Sequence, residues 1–139
     1  MRRQQRLLAI ESPAPYVTAS SWIIVEAKTG EILFGKNENE SRQVASLTKI
    51  MTAHIVIKLL ARFNISEHAP TITVLRSSTK LLGTSADLVS HDTLSTWELL
   101  HGMMLPSGND AAQSLAVHFG LLLLKDRCRY LQHDDPFVS

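Results

Sequence analysis

The sequence contains a single cysteine, Cys128, among its 139 residues. One thiol cannot close an internal disulfide or build a cysteine-based metal cluster, so neither feature stabilises the fold. The six histidines show no paired metal spacing such as His-x-x-x-His. We therefore expect these histidines on the surface or in the core, and no metal site.

An excess of charge of one sign is also missing, because 14 Lys and Arg residues offset 13 Asp and Glu residues. The net charge of +1 leaves no broad basic surface, so we expect no nucleic-acid partner. No run approaches the ~18 apolar residues of a membrane span, so we expect no such span. Residues 1–10 have too short an apolar core for a secretory signal, and the compartment stays open.

The remaining composition is that of a globular protein. A hydrophobic content of 45% and a charged content of 19% indicate one domain that can bury a core. Pro13 and Pro15 predict a flexible lead-in over residues 1–19, and residues 20–120 carry the regular patterns. Residues 121–139 hold mixed charges and Pro136, which predict an irregular tail.

Short runs rich in β-forming residues predict the strands. Residues 21–26 and 31–34 flank a turn, which indicates a β-hairpin with Gly30 at positive φ. Residues 70–75 predict a further short strand, and residues 77–91 predict a polar loop.

Apolar patterns predict three helices, over residues 46–63, 96–104 and 110–119. The first is apolar on nearly every side and is therefore predicted to be buried. Ser95 and Glu98 form a capping-box pattern at the start of the second helix, and Pro106 stops it. Gly120 is an end signal for the third helix.

Ser46 and Lys49 stand three positions apart at the start of the first helix. Residues at this spacing share a helix face with roughly 5–6 Å between their Cβ atoms, so the ammonium can reach the hydroxyl. A serine needs an adjacent base to act as a nucleophile, and a lysine serves as one only when its pKa is lowered. The apolar run after Lys49 would supply the desolvation that does so. We predict Ser46 as nucleophile and Lys49 as base.

The same four-residue pattern occurs again at Ser77 and Lys80. This second pair lies in a polar run without a long apolar helix behind it, so nothing would shield its lysine from water. Because a lysine on a helix is normally a solvated charge, context decides between the two pairs. It favours Ser46 and Lys49.

Ser107-Gly108-Asn109 lies between the second and third helices, where side chains can project from a turn into a cleft. Structurally, Asn109 or Asp110 could simply cap the following helix. Beside the first pair, however, Ser107 could relay protons near the lysine while the Asn109 amide holds a substrate.

Several extended phrases of the chain resemble one family, the serine-type D-Ala-D-Ala carboxypeptidases. These enzymes are low-mass penicillin-binding proteins related to class A β-lactamases, and their motifs are Ser-x-x-Lys, Ser-x-Asn and Lys-Thr-Gly. The matching phrases are ASLTKIMTA at 45–53 and LLHGMMLPSGNDAA at 99–112. The resemblance implies an α/β (α+β) fold of the β-lactamase/DD-peptidase type, with helices packed on an antiparallel sheet that is incomplete in this chain.

The resemblance also implies a role for each matching residue. Ser46 would attack the terminal D-Ala-D-Ala peptide bond and form an acyl-enzyme, with its own N–H as one oxyanion donor. Lys49 would take the serine proton, Ser107 would pass a proton toward the leaving amine, and Asn109 would bind the substrate. The partner is a D-Ala-D-Ala peptide or a β-lactam, and no cofactor is implied. Members of the family usually act outside the cytoplasm.

The third motif departs from the family pattern. Lys28-Thr29-Gly30 precedes Ser46, whereas the family's motif follows Ser-x-Asn, and no Lys-Thr-Gly occurs after Asn109. We interpret this triplet as a coincidence within the hairpin turn. Our hypothesis is that residues 20–120 are the N-terminal part of a catalytic domain, joined to an unrelated tail over 121–139.

The expected activity is therefore that of a serine-type carboxypeptidase of cell-wall stem peptides. Two alternatives stay open. Without the third motif, the chain could bind β-lactams without turnover or be an inert fragment. It could also be a β-lactamase, although class A enzymes deacylate through a glutamate and no Glu follows Glu98.

Overall fold

The computed structural model describes residues 14–133. Residues 1–13 of the predicted lead-in and residues 134–139 of the predicted tail lie outside the described residues. Residues 14–19 contain no helix or strand. The chain divides into two compact units, Met1–Gln43 and Val44–Ser139.

The first unit contains the predicted hairpin. Strand β1, Trp22–Val25, pairs antiparallel with β2, Ile32–Lys36, and Ile24 lies opposite Phe34. The register shifts by a bulge between Ile24 and Val25. The antiparallel pairing confirms the hairpin prediction. β-branched and aromatic residues, which favour strands, make up all of β1, and β2 contains Ile32 and Phe34.

A carboxylate organises the hairpin turn. Glu26 Oε2 accepts hydrogen bonds from the N–H groups of Lys28 and Thr29, at 2.8 and 2.6 Å. Gly30 has a φ of 71°, as the sequence predicts, and its N–H donates to the Glu26 carbonyl. Lys28-Thr29-Gly30 thus forms a turn between β1 and β2 rather than part of a strand.

The second unit contains three helices and a short two-stranded sheet. The helices are α1, Thr48–Phe63; α2, Thr96–Met104; and α3, Asn109–His133. Strand β3, Pro70–Thr73, pairs antiparallel with β4, Thr93–Ser95. Single 3-10 turns occupy Ala45–Leu47 and Ser78–Lys80. Among residues 14–133, no helix is both long and apolar enough to cross a membrane.

Helix α1 ends where the sequence predicts. Asn64 takes the left-handed conformation, with a φ of 51°, and its N–H donates to the carbonyls of Leu60 and Ala61 at the end of the helix. The prediction that this helix is buried on nearly every side is wrong. Ile50, Met51 and Ile57 are 56%, 59% and 57% exposed, because the described core covers only the side that carries Val56 and its neighbours.

Helix α2 begins with the predicted capping box. The Glu98 N–H donates to Ser95 Oγ at 3.2 Å, and the Ser95 N–H donates to Glu98 Oε2 at 2.8 Å. Hydrogen bonds from the Ser95 side chain and then from its N–H hold the pKa of Glu98 below its usual value. The carboxylate is therefore ionised at neutral pH, as this cap requires.

Helix α3 does not end at Gly120, as predicted, but continues to His133, so the prediction of an irregular tail is wrong for residues 121–133. A glycine inside a helix costs only about 1 kcal/mol relative to alanine, and tertiary contacts can offset that cost. Leu122 and Leu123 pack against the core, and Asp126 forms an ion pair of 2.6 Å with Arg62 of α1. The origin of this segment stays a prediction.

The core of the second unit joins all three helices to β3. Its buried side chains are Val56, Leu59, Leu60, Ile72, Leu99, Met103, Ala111, Leu115 and Phe119. Burial of large apolar side chains is the main favourable contribution to folding, at roughly 2 kcal/mol each. This packing fixes the start of α1 beside the α2–α3 connection.

Candidate active site

The first component of the site is the start of α1. The 3-10 turn Ala45–Leu47 leads into this helix, and Ala45 has a φ of 45°, which few non-glycine residues adopt. Ser46 is exposed, whereas Lys49, three residues on, is only 8% exposed. Lys49 Nζ lies 3.3 Å from Ser46 Oγ. The predicted pair is therefore brought together, with the hydroxyl accessible and the amine buried.

The second component is the connection between α2 and α3. Ser107 has a φ of 61°, and Asn109 is the first residue of α3. Ser107 Oγ donates a hydrogen bond of 2.8 Å to Ser46 Oγ and lies 3.1 Å from Lys49 Nζ. Asn109 Oδ1 accepts from Lys49 Nζ at 2.7 Å. All four residues predicted from the motifs thus lie in one cluster.

The neighbours of Lys49 restrict where its protons can go. Its Nζ contacts four oxygens, and two of them, Asn109 Oδ1 and the Ser107 carbonyl, can only accept hydrogen bonds. A neutral amine has two N–H groups and one lone pair. Those two oxygens would use both N–H groups and leave the lone pair facing the hydroxyls of Ser46 and Ser107. In the neutral form of Lys49, this arrangement would leave its lone pair in reach of a serine proton.

The Asn109 side chain does not act as a helix cap, which was the alternative role predicted for it. Asn109 Oδ1 accepts from Lys49, and Asn109 Nδ2 donates to the Leu82 carbonyl at 2.8 Å. Both ends of the amide thus bind residues outside α3. The adjacent Asp110 instead accepts the N–H of Ala111, at 2.9 Å, and so satisfies one of the unpaired donors at the helix start.

The sequence predicts a polar loop over residues 77–91, but it does not predict that this loop supports the α2–α3 connection. Thr84 Oγ1 donates to the Ser107 carbonyl, and the Asn109 N–H donates to the Thr84 carbonyl at 2.8 Å. Gly83 has a φ of 100°, which brings its backbone against the Asn109 side chain. Gly83 inside a polar segment is the one local signal for a close backbone approach here, since only glycine adopts such a φ readily.

Asp110 is the buried acidic group beside this cluster. It is 4% exposed, and its carboxylate accepts from Ser85 Oγ at 2.7 Å, from the N–H of Ala86 at 2.9 Å and from that of Leu88 at 3.2 Å. Burial raises its pKa, but these hydrogen bonds together hold the pKa below its usual value. The carboxylate is therefore ionised at neutral pH.

A cleft of about 300 Å³ opens beside Ser46. It is lined by Val44, Ser46, Leu47, Lys49, Ile50, Met103, Met104 and Ser107. The polar atoms of the cluster therefore lie at one wall of a mostly apolar space, as in many small-molecule sites. Residues 14–133 hold no group of three or more His, Cys, Asp or Glu side chains that could bind a metal.

The second Ser-x-x-Lys pattern forms no comparable site. Ser77 precedes the single 3-10 turn Ser78–Lys80, and both Ser77 and Lys80 are exposed. Within the part of the chain that the structure describes, no hydrogen bond joins their side chains. The discrimination between the two pairs by sequence context therefore agrees with the geometry.

Comparison with known proteins identifies the family. The sequence profile of the D-alanyl-D-alanine carboxypeptidases, peptidase family S11, matches residues 9–120. This chain belongs to the D-alanyl-D-alanine carboxypeptidase family. The carboxypeptidase DacD of Escherichia coli K12 is 33% identical over 108 residues, which are 73% of this chain and 28% of that relative. A carboxypeptidase of Streptomyces sp. K15 is 34% identical over 110 residues, which are 76% of this chain and 36% of that relative.

A solved structure shows the same fold. The crystal structure of DacD from Francisella tularensis superposes with a TM-score of 0.71 and 33% identity, over 80% of this chain and 27% of that chain. The predicted fold class is thus confirmed, as part of a DD-peptidase fold with helices and small antiparallel sheets. The chain spans between a quarter and two fifths of the length of the relatives it matches.

Proposed function

We propose that this chain carries out the acylation chemistry of a serine-type D-Ala-D-Ala carboxypeptidase. The acyl donor is the D-Ala-D-Ala end of a cell-wall stem peptide, or a β-lactam in its place. The observation that carries the proposal is the convergence of Ser46, Ser107 and Asn109 on Lys49 Nζ, at 3.3, 3.1 and 2.7 Å. Family membership supplies the substrate class.

In the first step, Ser46 Oγ attacks the carbonyl carbon of the terminal peptide bond while Lys49 takes the hydroxyl proton. The Ser46 N–H lies in the 3-10 turn that starts at Ala45, where the first donors have no acceptor within the turn. It can therefore donate to the developing oxyanion. One such donor is worth on the order of 3 kcal/mol of barrier.

In the second step, the tetrahedral adduct breaks its carbon–nitrogen bond and releases D-alanine. The leaving nitrogen needs a proton, which Lys49 returns through Ser107, the residue whose hydroxyl contacts both Lys49 and Ser46. The product is an ester of Ser46. Attack by water on this ester releases the shortened peptide and restores the serine.

Asn109 holds the substrate in this scheme. One N–H of its side-chain amide donates to the Leu82 carbonyl, and the second has no partner among residues 14–133. That second N–H can donate to a substrate carbonyl. Asn109 thereby links the position of the acyl donor to that of Lys49, whose amine donates to Asn109 Oδ1.

The test is intact-mass analysis after incubation with a penicillin. Wild-type protein should gain the mass of one penicillin, Ser46→Ala should gain nothing, and Ser77→Ala should react like the wild type. Circular dichroism must show that each variant is folded. Failure of folded wild-type protein to form an adduct, or an adduct that persists in Ser46→Ala, would overturn the proposal.

Turnover separates the remaining functions. Release of D-alanine from a peptide ending in D-Ala-D-Ala would establish carboxypeptidase activity. A stable penicillin adduct without this release would make the chain a β-lactam-binding protein, and rapid regeneration of free enzyme with hydrolysed penicillin would make it a β-lactamase.

A further inference from the structure

The buried carboxylate of Asp110 forms no hydrogen bond with the four residues assigned to the chemistry, yet it holds a whole segment of backbone. Its oxygens accept hydrogen bonds from Ser85 Oγ and from the N–H groups of Ala86 and Leu88. Charge-assisted hydrogen bonds of this kind are roughly twice as strong as neutral ones. Asp110 therefore fixes residues 85–88 to the first turn of α3.

The segment that Asp110 holds continues directly into the supports of the site. Leu82 accepts from the side-chain amide of Asn109, and the Thr84 carbonyl accepts from the Asn109 N–H. Thr84 Oγ1 donates to the carbonyl of Ser107. The loop is thus anchored at one end by Asp110 and contacts Ser107 and Asn109 at the other.

Ser107 needs such support because its φ of 61° is unfavourable for a residue with a side chain. A left-handed conformation costs a non-glycine residue roughly 1–2 kcal/mol. The contacts from Thr84 and Lys49 to its carbonyl hold this conformation, which aims Ser107 Oγ at Ser46 Oγ. Loss of the loop would remove one of these two contacts.

We propose that Asp110 is a positioning residue that sets the orientation of Ser107 and Asn109 through the loop of residues 82–88. The proposal rests on the proposed function for its effect on rate, and on hydrogen bonding alone for its effect on structure. Asp110 acts by fixing the proton-relay hydroxyl and the substrate amide, and it exchanges no proton with the substrate.

The variant Asp110→Asn tests this directly. Its amide keeps one acceptor oxygen but places an NH₂ group against the N–H donors of Ala86 and Leu88, so part of the network is lost. We expect acylation by penicillin to slow by roughly 100-fold, the scale of a misplacement of about 1 Å. Ser85→Ala removes one donor to the carboxylate and should show a smaller loss in the same direction.

The matched control is Asp92→Asn. The Asp92 carboxylate accepts one hydrogen bond, of 3.3 Å from the Val89 N–H, in an exposed loop segment, and forms no hydrogen bond with Ser107 or Asn109. This variant should acylate at the wild-type rate. Acylation rates are compared per folded molecule, with folding checked by circular dichroism and melting temperature. If Asp110 contributed only to stability, these rates would not change.

Amide hydrogen exchange provides the second measurement, which does not depend on activity. In Asp110→Asn, the Asn109 N–H, which donates to Thr84, should exchange roughly tenfold faster or more, while Asp92→Asn leaves it unchanged. Unchanged Asn109 exchange in folded Asp110→Asn, or unchanged acylation where the wild type reacts, would overturn the proposal. A wild type that forms no adduct would instead refute the proposed function, and exchange at Asn109 would still decide the role of Asp110.

Discussion

The chain contains the same four-residue pattern twice, and only one copy builds a cluster. Lys49 is 8% exposed and contacts oxygens of Ser46, Ser107 and Asn109. Lys80 is exposed at the end of a single 3-10 turn, and its pattern partner Ser77 is exposed as well. Spacing along the sequence is therefore not what distinguishes the buried lysine from the solvated one.

The difference lies in the secondary structure that each serine begins. Ser46 precedes a 16-residue helix whose core-facing side buries Lys49 beside the α2–α3 connection. After Ser77 the turn ends at once in extended Leu81, and the residue that becomes buried is Ser78. The first pattern thus differs from the second in two ways: its serine precedes a helix long enough to pack, and a second segment brings acceptors to its amine.

The largest expected effect is the loss of acylation when Lys49 is removed, and removal of Lys80 is its control. Lys49→Ala should reduce the acylation rate by roughly 10²–10⁴-fold, the usual contribution of a general base. Lys80→Ala should leave the rate unchanged, because Lys80 is exposed. Stopped-flow measurement with a fluorescent penicillin gives both rates. Equal losses in the two variants would contradict the distinction between the two patterns.

A second pair of variants compares Ser107, whose hydroxyl contacts Lys49, with Ser78, which lies two positions before Lys80 in the sequence. Ser107→Ala removes the hydroxyl between Lys49 and Ser46 and should slow acylation by roughly 100-fold. The backbone should tolerate the change, since alanine and serine pay a similar cost at a φ of 61°. The same fluorescent assay measures the loss, and a rate within twofold of wild type would exclude Ser107 from the proton path.

Ser78→Ala is the matched change at the second pattern. The buried Ser78 hydroxyl has no hydrogen-bond partner among residues 14–133, so its removal leaves no other group unsatisfied. We expect an unchanged acylation rate and a free energy of unfolding that stays the same or rises by up to about 1 kcal/mol. A clear loss of stability in urea denaturation would show that this hydroxyl has a partner in solution.

Local signals explain which parts of the structure were predictable. Gly30 in the hairpin turn, the Ser95–Glu98 capping box and Asn64 at the end of α1 act through bonds to residues a few positions away. Each can therefore be inferred from a short stretch of sequence. The contact between Ser46 and Ser107 joins residues that are far apart in the sequence, so no short stretch predicts it. It was inferred from the order of the motifs along the chain.

The remaining features depend on tertiary contacts that no short pattern encodes. The loop of residues 82–88 has no regular structure, and its place is set by the buried carboxylate of Asp110. The continuation of α3 past Gly120 depends on Leu122 and Leu123 packing on the core. Propensity alone could not settle that continuation, because the cost of one helical glycine is small.

A smaller effect is expected from Gly83→Ala, which changes the environment of the first pattern without touching its residues. A Cβ at this position would lie 2.8 Å from Asn109 Nδ2, and the φ of 100° is itself strained for alanine. We expect acylation to slow by roughly tenfold as Asn109 moves, measured with the same fluorescent penicillin. Gly30→Ala is the control, since its φ is also positive but its Cβ would meet nothing within 4 Å. If Gly30→Ala lost acylation rate to the same extent, the loss in Gly83→Ala would come from backbone strain at a positive φ rather than from displacement of Asn109.

The smallest change is expected from Gly120→Ala, which lies outside both patterns and separates stability from acylation. Gly120 is helical, and an added Cβ would meet no atom within 4 Å. Alanine should therefore stabilise α3 by about 1 kcal/mol, or roughly 3 °C in melting temperature for a chain of this size, with no change in acylation rate. Differential scanning fluorimetry measures the shift. Because a glycine at a helix end is favoured over alanine, destabilisation by Gly120→Ala would instead show that the helix stops at Gly120 in solution, as the sequence pattern alone predicts.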